Sequence, residues 1–243
     1  MYDNIKIGLI GYQGRMGQAI IRVLQKKNIK TITNGGDVEN SDKSKLFQSS
    51  DVIIDFSSPN GLLECLQLAV QLHKPLVSGT TPIDQELMKK ITDASKHTRI
   101  CWSSNMSIGI AIIKKMAAMC ATMLPDYDCE ILDKHHNKKK DAPSGTAIAI
   151  GQVIANCRNI NFDENKICNR NCIRQQDQIG FASIRGGNIF GEHDVMFIGE
   201  NDEITISHKA YNRELFAAGA VKCALKILEK QTNGFYSVED LLL

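Results

Sequence analysis

Two histidines, His135 and His136, stand side by side and are followed closely by Lys138, Lys139, Lys140 and the turn Ser144-Gly145-Thr146. An imidazole with an ordinary pKa of about 6.5 can carry a proton at neutral pH, and a nearby ammonium can donate one or hold negative charge. Residues 128–136 read as a strand, with Cys129, Ile131, Asp133 and His135 on one face and Glu130, Leu132, Lys134 and His136 on the other. The two imidazoles therefore diverge, which suits one proton donor and one binding residue better than a two-histidine metal clamp. Pro143 ends the loop, and Ser144 fits the N-cap of a helix over residues 147–155. The amides of Gly145 and Thr146 would then make an anion site suited to a carboxylate. Together these residues fit a small di-acid held beside a proton donor. They also read as a solvated lysine loop next to a surface histidine. Nucleic-acid binding is a third reading, but no aromatic residue interleaves with the lysines and the net charge is only +2.

A second group lies near the N-terminus. Gly11, Gly14 and Gly17 fall between a short apolar strand and an amphipathic helix, in the order Gly11-Tyr12-Gln13-Gly14-Arg15-Met16-Gly17. In that context the first glycine permits a sharp turn, the second lets backbone approach a pyrophosphate, and the third lets the helix pack on the strand. The helix N-terminus adds free amides and a partial positive charge. The spacing is G-x-x-G-x-x-G rather than the commoner G-x-G-x-x-G, and a glycine turn made only for packing is the plainer alternative. Asp37, or next Glu39, is placed to hold a ribose, although an ordinary turn aspartate reads the same way. No arginine stands there to grip a 2′-phosphate, which leans towards NADH over NADPH. Gly79, Thr80 and Thr81, and then Ser103, Ser104, Asn105 and Met106, follow two further strands on the sheet's carboxyl edge, where a ribose or carboxamide would bind.

The elements that must position these groups come in two styles. Strands at 5–10, 29–33, 51–56, 75–78 and 98–103 alternate with helices at 18–27, 62–72 and 83–95, as in stacked β-α-β units on a parallel sheet. After residue 106 comes a methionine-rich helix at 108–123. Extended runs follow at 128–136, 180–186, 191–199 and 203–208, and a helix at 214–229 closes the series. Strands without intervening helices imply a mixed or antiparallel sheet, hence a second domain. Residues 156–178 read as a polar surface excursion.

The 243 residues, 43% hydrophobic and 23% charged, suit one large or two interdigitated globular domains. No apolar run is long enough for a membrane span, and MYDNIKIGLIGY has no export signal, so a reducing, cytoplasmic setting is expected. The eight cysteines then read as small buried hydrophobes. Cys168 and Cys172 lack a second Cys/His pair at zinc spacing, so no metal is expected, and the glycosylation pattern Asn105-Met106-Ser107 is irrelevant.

With Ile54-Asp55-Phe56-Ser57, Gly79-Thr80-Thr81, Ser104-Asn105-Met106-Ser107-Ile108-Gly109, Ile184-Arg185-Gly186-Gly187 and Gly191-Glu192-His193 added, the motifs run in order along essentially the whole chain. Above all, His135-His136-Asn137-Lys138-Lys139-Lys140-Asp141-Ala142-Pro143-Ser144-Gly145-Thr146-Ala147 resembles the signature of the 4-hydroxy-tetrahydrodipicolinate reductase family. The resemblance implies an α/β fold. A Rossmann-type parallel-sheet domain (1–106 and 215–243) would bind NADH or NADPH. An α+β domain with a mixed sheet (107–214) would bind substrate and build a homotetramer, with the final helix returning to the first domain.

It also implies reduction of a cyclic imine dicarboxylate in diaminopimelate and lysine synthesis. His135 would be the proton donor and Lys139 the second donor, with His136, Gly145 and Thr146 on the substrate's carboxylates. Gly11 to Met16 would take the pyrophosphate, and Gly79 to Thr81 and Ser103 to Met106 the nicotinamide end. Two departures bear on the cofactor: the stretch before Asp51 is short, and Gly36-Asp37 replaces the usual acidic-plus-basic pair. Two rivals stay open. A semialdehyde-type reductase would need a nucleophilic cysteine in a site loop, and a non-catalytic dinucleotide sensor would need no His-Lys pair.

Overall fold

The computed structural model describes residues 4–33 and 43–243. The chain divides into two compact units, Met1–Ile108 with Arg213–Leu243, and Gly109–Asn212.

In the first unit, β1 (Lys6–Ile10), α1 (Arg15–Lys26), β2 (Lys30–Ile32), α2 (Lys43–Gln48), β3 (Val52–Asp55), α3 (Pro59–Gln71), β4 (Leu76–Ser78), α4 (Gln85–Ser95) and β5 (Arg99–Trp102) alternate along the chain. The second unit follows with α5 (Ile108–Met123), β6 (Asp128–His135), α6 (Gly145–Arg158), α7 (Phe162–Asn165), β7 (Lys166–Ile167), β8 (Ile179–Arg185), β9 (Glu192–Ile198) and β10 (Glu203–Lys209). Three last elements, α8 (Glu214–Ile227), β11 (Gly234–Tyr236) and α9 (Val238–Leu242), belong to the first unit again.

The first unit's sheet runs β11-β5-β4-β3-β1-β2, with every pair parallel. Its strands are near-continuous apolar runs because helices cover both faces: Ile7, Leu9, Ile10, Val52, Ile53 and Ile54 are wholly buried. Strand order reverses between β1 and β3, and ligands of such sheets bind beyond the carboxyl ends at that reversal. Local signals fix the helix starts. Ser58 accepts from the Gly61 amide with Pro59 at the first helical position, and Asp84 accepts from the Leu87 amide. The buried stripe of α8 includes Ala217, Ala220, Val221 and Ala224.

The second unit's sheet runs β10-β9-β6-β8-β7 and is mixed: β6 is antiparallel to β9 and parallel to β8. Period-two alternation sends Cys129, Ile131, Val195 and Phe197 into a core shared with Ile113 and Ala117 of α5 and Ile150 and Ile154 of α6. On the opposite face Lys134 pairs with Asp194 at 3.2 Å, and Glu130 pairs with Arg170 and Arg174. Ile184 is exposed there.

Boundaries differ from the sequence pattern in instructive ways. Strand β6 ends at His135, and α6 begins at Gly145 and runs to Arg158, closed by Asn159 in the left-handed conformation. The polar excursion at 156–178 contains the last turn of α6, then α7 and β7. Strand β11 adds itself beside β5, and α9 opens with a capping box between Ser237 and Asp240. Among the described residues no helix is long and apolar enough to cross a membrane. Cys65, Cys101, Cys129 and Cys223 are buried, Cys120 and Cys157 half-buried, and Cys168 and Cys172 exposed; all eight are free thiols.

Candidate active site

His135 closes β6 on the sheet's covered face, two residues beyond Asp133. Asp133 is wholly buried. Arg185, opposite His135 on β8, grips it with Nη1 donating to Oδ1 at 2.8 Å and Nη2 to Oδ2 at 3.3 Å, and the Ser144 amide donates to Oδ2 at 2.6 Å. Burial pushes the Asp133 carboxyl up, but the donors from Arg185 and Ser144 together outweigh it and hold it well below the usual carboxylate range. His135 Nδ1 lies 3.8 Å from Asp133 Oδ2. Burial, then the Lys139 ammonium, lower the His135 pKa, while the Asp133 charge works against them.

The strand pairing brings in a third imidazole. His193 lies opposite Asp133 on β9, and its ring meets that of His135 edge-on with centroids 5.3 Å apart. It is 3% exposed, and burial followed by the charge of His135 holds its pKa down to about 4. Gly191 comes just before β9. A side chain there would place Cβ 3.1 Å from His135 Nε2, so the bare glycine leaves that nitrogen approachable.

The turn before α6 is built as its sequence suggests. Ser144 Oγ accepts from the Ala147 amide, and open space surrounds Gly145. The Gly145 amide stands in the first turn, where no intrahelical acceptor exists. Thr146 follows it in the same turn, half-buried. Of the three lysines, Lys138 and Lys140 are exposed. Lys139 is held by Asp141 at 2.8 Å, and the Asp141 carbonyl accepts from Arg185 Nη2 at 2.7 Å. His136 lies past the strand's end, half-buried, its carbonyl accepting from the Lys139 amide.

The structure thus gathers His135, Lys139 and Ser144 around an Asp133–Arg185 pair. Nothing in the sequence alone assigns a role to Asp133, Arg185 or His193. Asp133 was legible as an acid on the face of His135, but the other two are placed only by strand register. Asp133, His135 and His193 offer ligand atoms within 4.8 Å of one another, the geometry of a metal site. Both Asp133 oxygens, however, already accept from Arg185 and Ser144.

In the first unit the glycine loop fits a dinucleotide's phosphates. Gly11 has φ of +80°, and a Cβ there would stand 2.5 Å from the Phe56 carbonyl carbon. A Cβ on Gly17 would stand 2.5 Å from Tyr12 Cα. Gly14 is the N-cap of α1 with no side-chain cap, so the amides of Arg15 and Met16 open on the loop where an anion would be held. Tyr12 is half-buried and Gln13 exposed, with Gln13 Nε2 donating to the Tyr12 hydroxyl at 3.1 Å.

The two loops at the carboxyl edge are shaped from inside. Asp55, at the end of β3 and wholly buried, accepts from Ser57 Oγ at 2.5 Å, Ser78 Oγ at 2.7 Å and Thr80 Oγ1 at 2.7 Å. Thr80 is therefore turned inward, its carbonyl accepting from Trp102 Nε1, while Thr81 is exposed and Gly79 half-buried. Ser103 Oγ donates to the Asn105 carbonyl and accepts from its amide, Asn105 Oδ1 accepts from the Ser107 amide, Met106 is buried and Ser104 is exposed. Asp37 and Glu39 lie outside the described residues.

Two family models together match nearly the whole chain. A family model described as "Dihydrodipicolinate reductase, N-terminus" matches residues 5–106, and one described as "Dihydrodipicolinate reductase, C-terminus" matches residues 109–242. The chain belongs to the dihydrodipicolinate reductase family. Within that family, the 4-hydroxy-tetrahydrodipicolinate reductase of Wolbachia pipientis subsp. Culex pipiens (strain wPip) is 41% identical over 244 residues, spanning 100% of this chain and 92% of that one. The enzyme of the same name from Campylobacter jejuni subsp. jejuni serotype O:6 is 40% identical over 245 residues, spanning 98% and 99%. The dihydrodipicolinate reductase fold is also seen in a solved structure, the dipicolinate-bound enzyme from Paenisporosarcina sp. TG-14. It aligns with a TM-score of 0.78 at 23% identity over 98% of this chain and 99% of that one.

Proposed function

We propose that this member of the family reduces 4-hydroxy-tetrahydrodipicolinate, by way of dihydrodipicolinate, to tetrahydrodipicolinate with NADH or NADPH, a step of diaminopimelate and lysine synthesis. The single observation that carries the reading is the placement of His135 in one buried frame with the capped turn at Ser144. A proton donor and an anion grip belong together only if an acid group must be held while a proton moves.

The first unit would hold the dinucleotide: Gly11, Tyr12, Gln13, Gly14, Arg15 and Met16 at the pyrophosphate, and Gly79, Thr81, Ser103, Ser104, Asn105 and Met106 at the nicotinamide end, with Thr80 shaping that edge from inside through its bond to Asp55. Bound reduced nicotinamide supplies a hydride. In the second unit His136, Ser144, Gly145 and Thr146 hold the substrate's carboxylates, the turn by its amides. His135, approachable at Nε2 beside Gly191, gives up the proton that completes the two-electron reduction, and Lys139 serves as the second donor. Residues 1–106 and 215–243 are accordingly the dinucleotide-binding domain, and 107–214 the substrate-binding and oligomerisation domain. The chain works in the cytoplasm as a homotetramer joined through the uncovered sheet face that carries Lys134 and Ile184, which light scattering after gel filtration would measure.

The test is spectrophotometric. Freshly generated cyclic imine is mixed with the protein and NADH, then NADPH, and loss of reduced nicotinamide is followed. Substrate-dependent consumption with either cofactor is expected; none with both would overturn the reading.

A further inference from the structure

We infer that Asp133, with Arg185 as its counter-ion, is a positioning residue that holds the proton-handling imidazole and the carboxylate-gripping turn in one frame. The inference rests on the roles proposed above for His135 and Ser144-Gly145-Thr146.

Three separate segments converge on this one carboxylate. Strand β6 supplies Asp133 and His135, β8 supplies Arg185, and the turn into α6 supplies the Ser144 amide. Arg185 adds a fourth by holding the Asp141 carbonyl, and Asp141 in turn holds Lys139. Removing the carboxylate would take away the negative charge beside His135 and the acceptor of the Ser144 amide, and would leave Arg185, which holds the Asp141 carbonyl next to Lys139, without its counter-ion.

Stability alone does not account for the pair. A buried ion pair replaced by apolar side chains of similar volume is often neutral or stabilising, because desolvation offsets the attraction. The pair nevertheless sits in the core layer, with Asp133 Oδ2 3.8 Å from His135 Nδ1. The charged and titratable groups that surround His135 are Asp133 on β6, Lys139 and Asp141 in the loop after it, Arg185 on β8 and His193 on β9. Asp133 is the buried negative charge among them, so it opposes the combined effect of Lys139 and Arg185 on the imidazole.

Two variants separate positioning from mere support. Asp133→Leu combined with Arg185→Met keeps the volume and removes both charges; Asp133→Asn keeps the shape and removes one. Melting temperature, kcat, both KM values and the pH profile of kcat are read for each, with His135→Gln run alongside. For the double variant, cooperative melting and an unchanged KM for NADH are expected, with kcat down roughly 10–100-fold as the reacting groups lose their alignment. For Asp133→Asn the basic limb of the kcat profile moves to lower pH, because the charges left around His135 are mostly positive. A folded double variant with the kcat of the parent and an unmoved limb in Asp133→Asn would overturn the inference. If Asp133→Asn does not fold, the double variant decides. Normal turnover in His135→Gln would instead remove the proton-donor assignment, and this inference with it.

Discussion

His193 Nε2 lies 3.2 Å from Ser144 Oγ, a buried contact that ties β9 to the cap of α6. The imidazole making it is neutral in the folded protein down to about pH 4, against an ordinary value of 6.5.

An acid sensitivity follows from that difference. The unfolded imidazole takes up its proton near 6.5 while the folded one waits until about 4, so the unfolded state binds more protons across that window. Stability therefore falls as pH drops from 6.5 to 4, by roughly 3 kcal/mol for His193 alone. His135 and His208, both lowered by burial, act in the same direction. Thermal melts across this range should show the decline, and His193→Asn should flatten it. An equally steep decline in that variant would remove His193 as the source.

Turnover should respond to His135 directly. His135→Gln keeps a polar ring-sized group but cannot deliver a proton, so kcat should fall roughly 10²–10⁴-fold. NADH affinity, measured by fluorescence titration, should hold. Collapse of cofactor binding with near-normal turnover would reverse the assignment.

The sign of the pH dependence is also fixed. Burial and Lys139 keep the His135 pKa below its ordinary value, and the donor must be protonated, so kcat should climb as pH falls through neutrality and level off below that pKa. Lys139→Met removes a positive neighbour and raises the His135 pKa. It should lower kcat, yet move the basic limb to higher pH. A limb that stays put would mean another group is titrating.

The glycine loop makes a steric prediction. Gly17→Ala forces a methyl to 2.5 Å from Tyr12 Cα, so the loop must shift, at a cost of roughly 1–3 kcal/mol, with weakened NADH binding. Gly14→Ala meets only the Gly11 carbonyl, at 3.3 Å, and should melt like the parent while still weakening the cofactor. Calorimetry and NADH titration of the pair check both. Equal melting temperatures for the two would contradict the packing argument.

Much of this site was legible in the residues because its signals are local. The loop from Gly11 to Gly17 stands between a period-two and a 3.6-period segment, and Ser144 announces a helix by its own chemistry. The face shared by Asp133 and His135 needs only alternation. What stayed hidden depends on partners far along the chain. Arg185 reaches Asp133 because β8 runs parallel to β6, and His193 because β9 runs antiparallel, and no local pattern states either register. Thr80 reads as a ligand-facing hydroxyl, yet its oxygen is claimed by Asp55 from another strand. Strand β11 is three residues long and takes its conformation from β5.

The return of α8, β11 and α9 to the first unit sets an order of assembly during synthesis. As the chain leaves the ribosome, residues 1–108 emerge early but lack the helix whose Ala217, Ala220, Val221 and Ala224 seal one side of their sheet. That side stays wet while the whole second unit is translated, and only the arrival of residues 213–243 allows the nucleotide platform to become a finished solid.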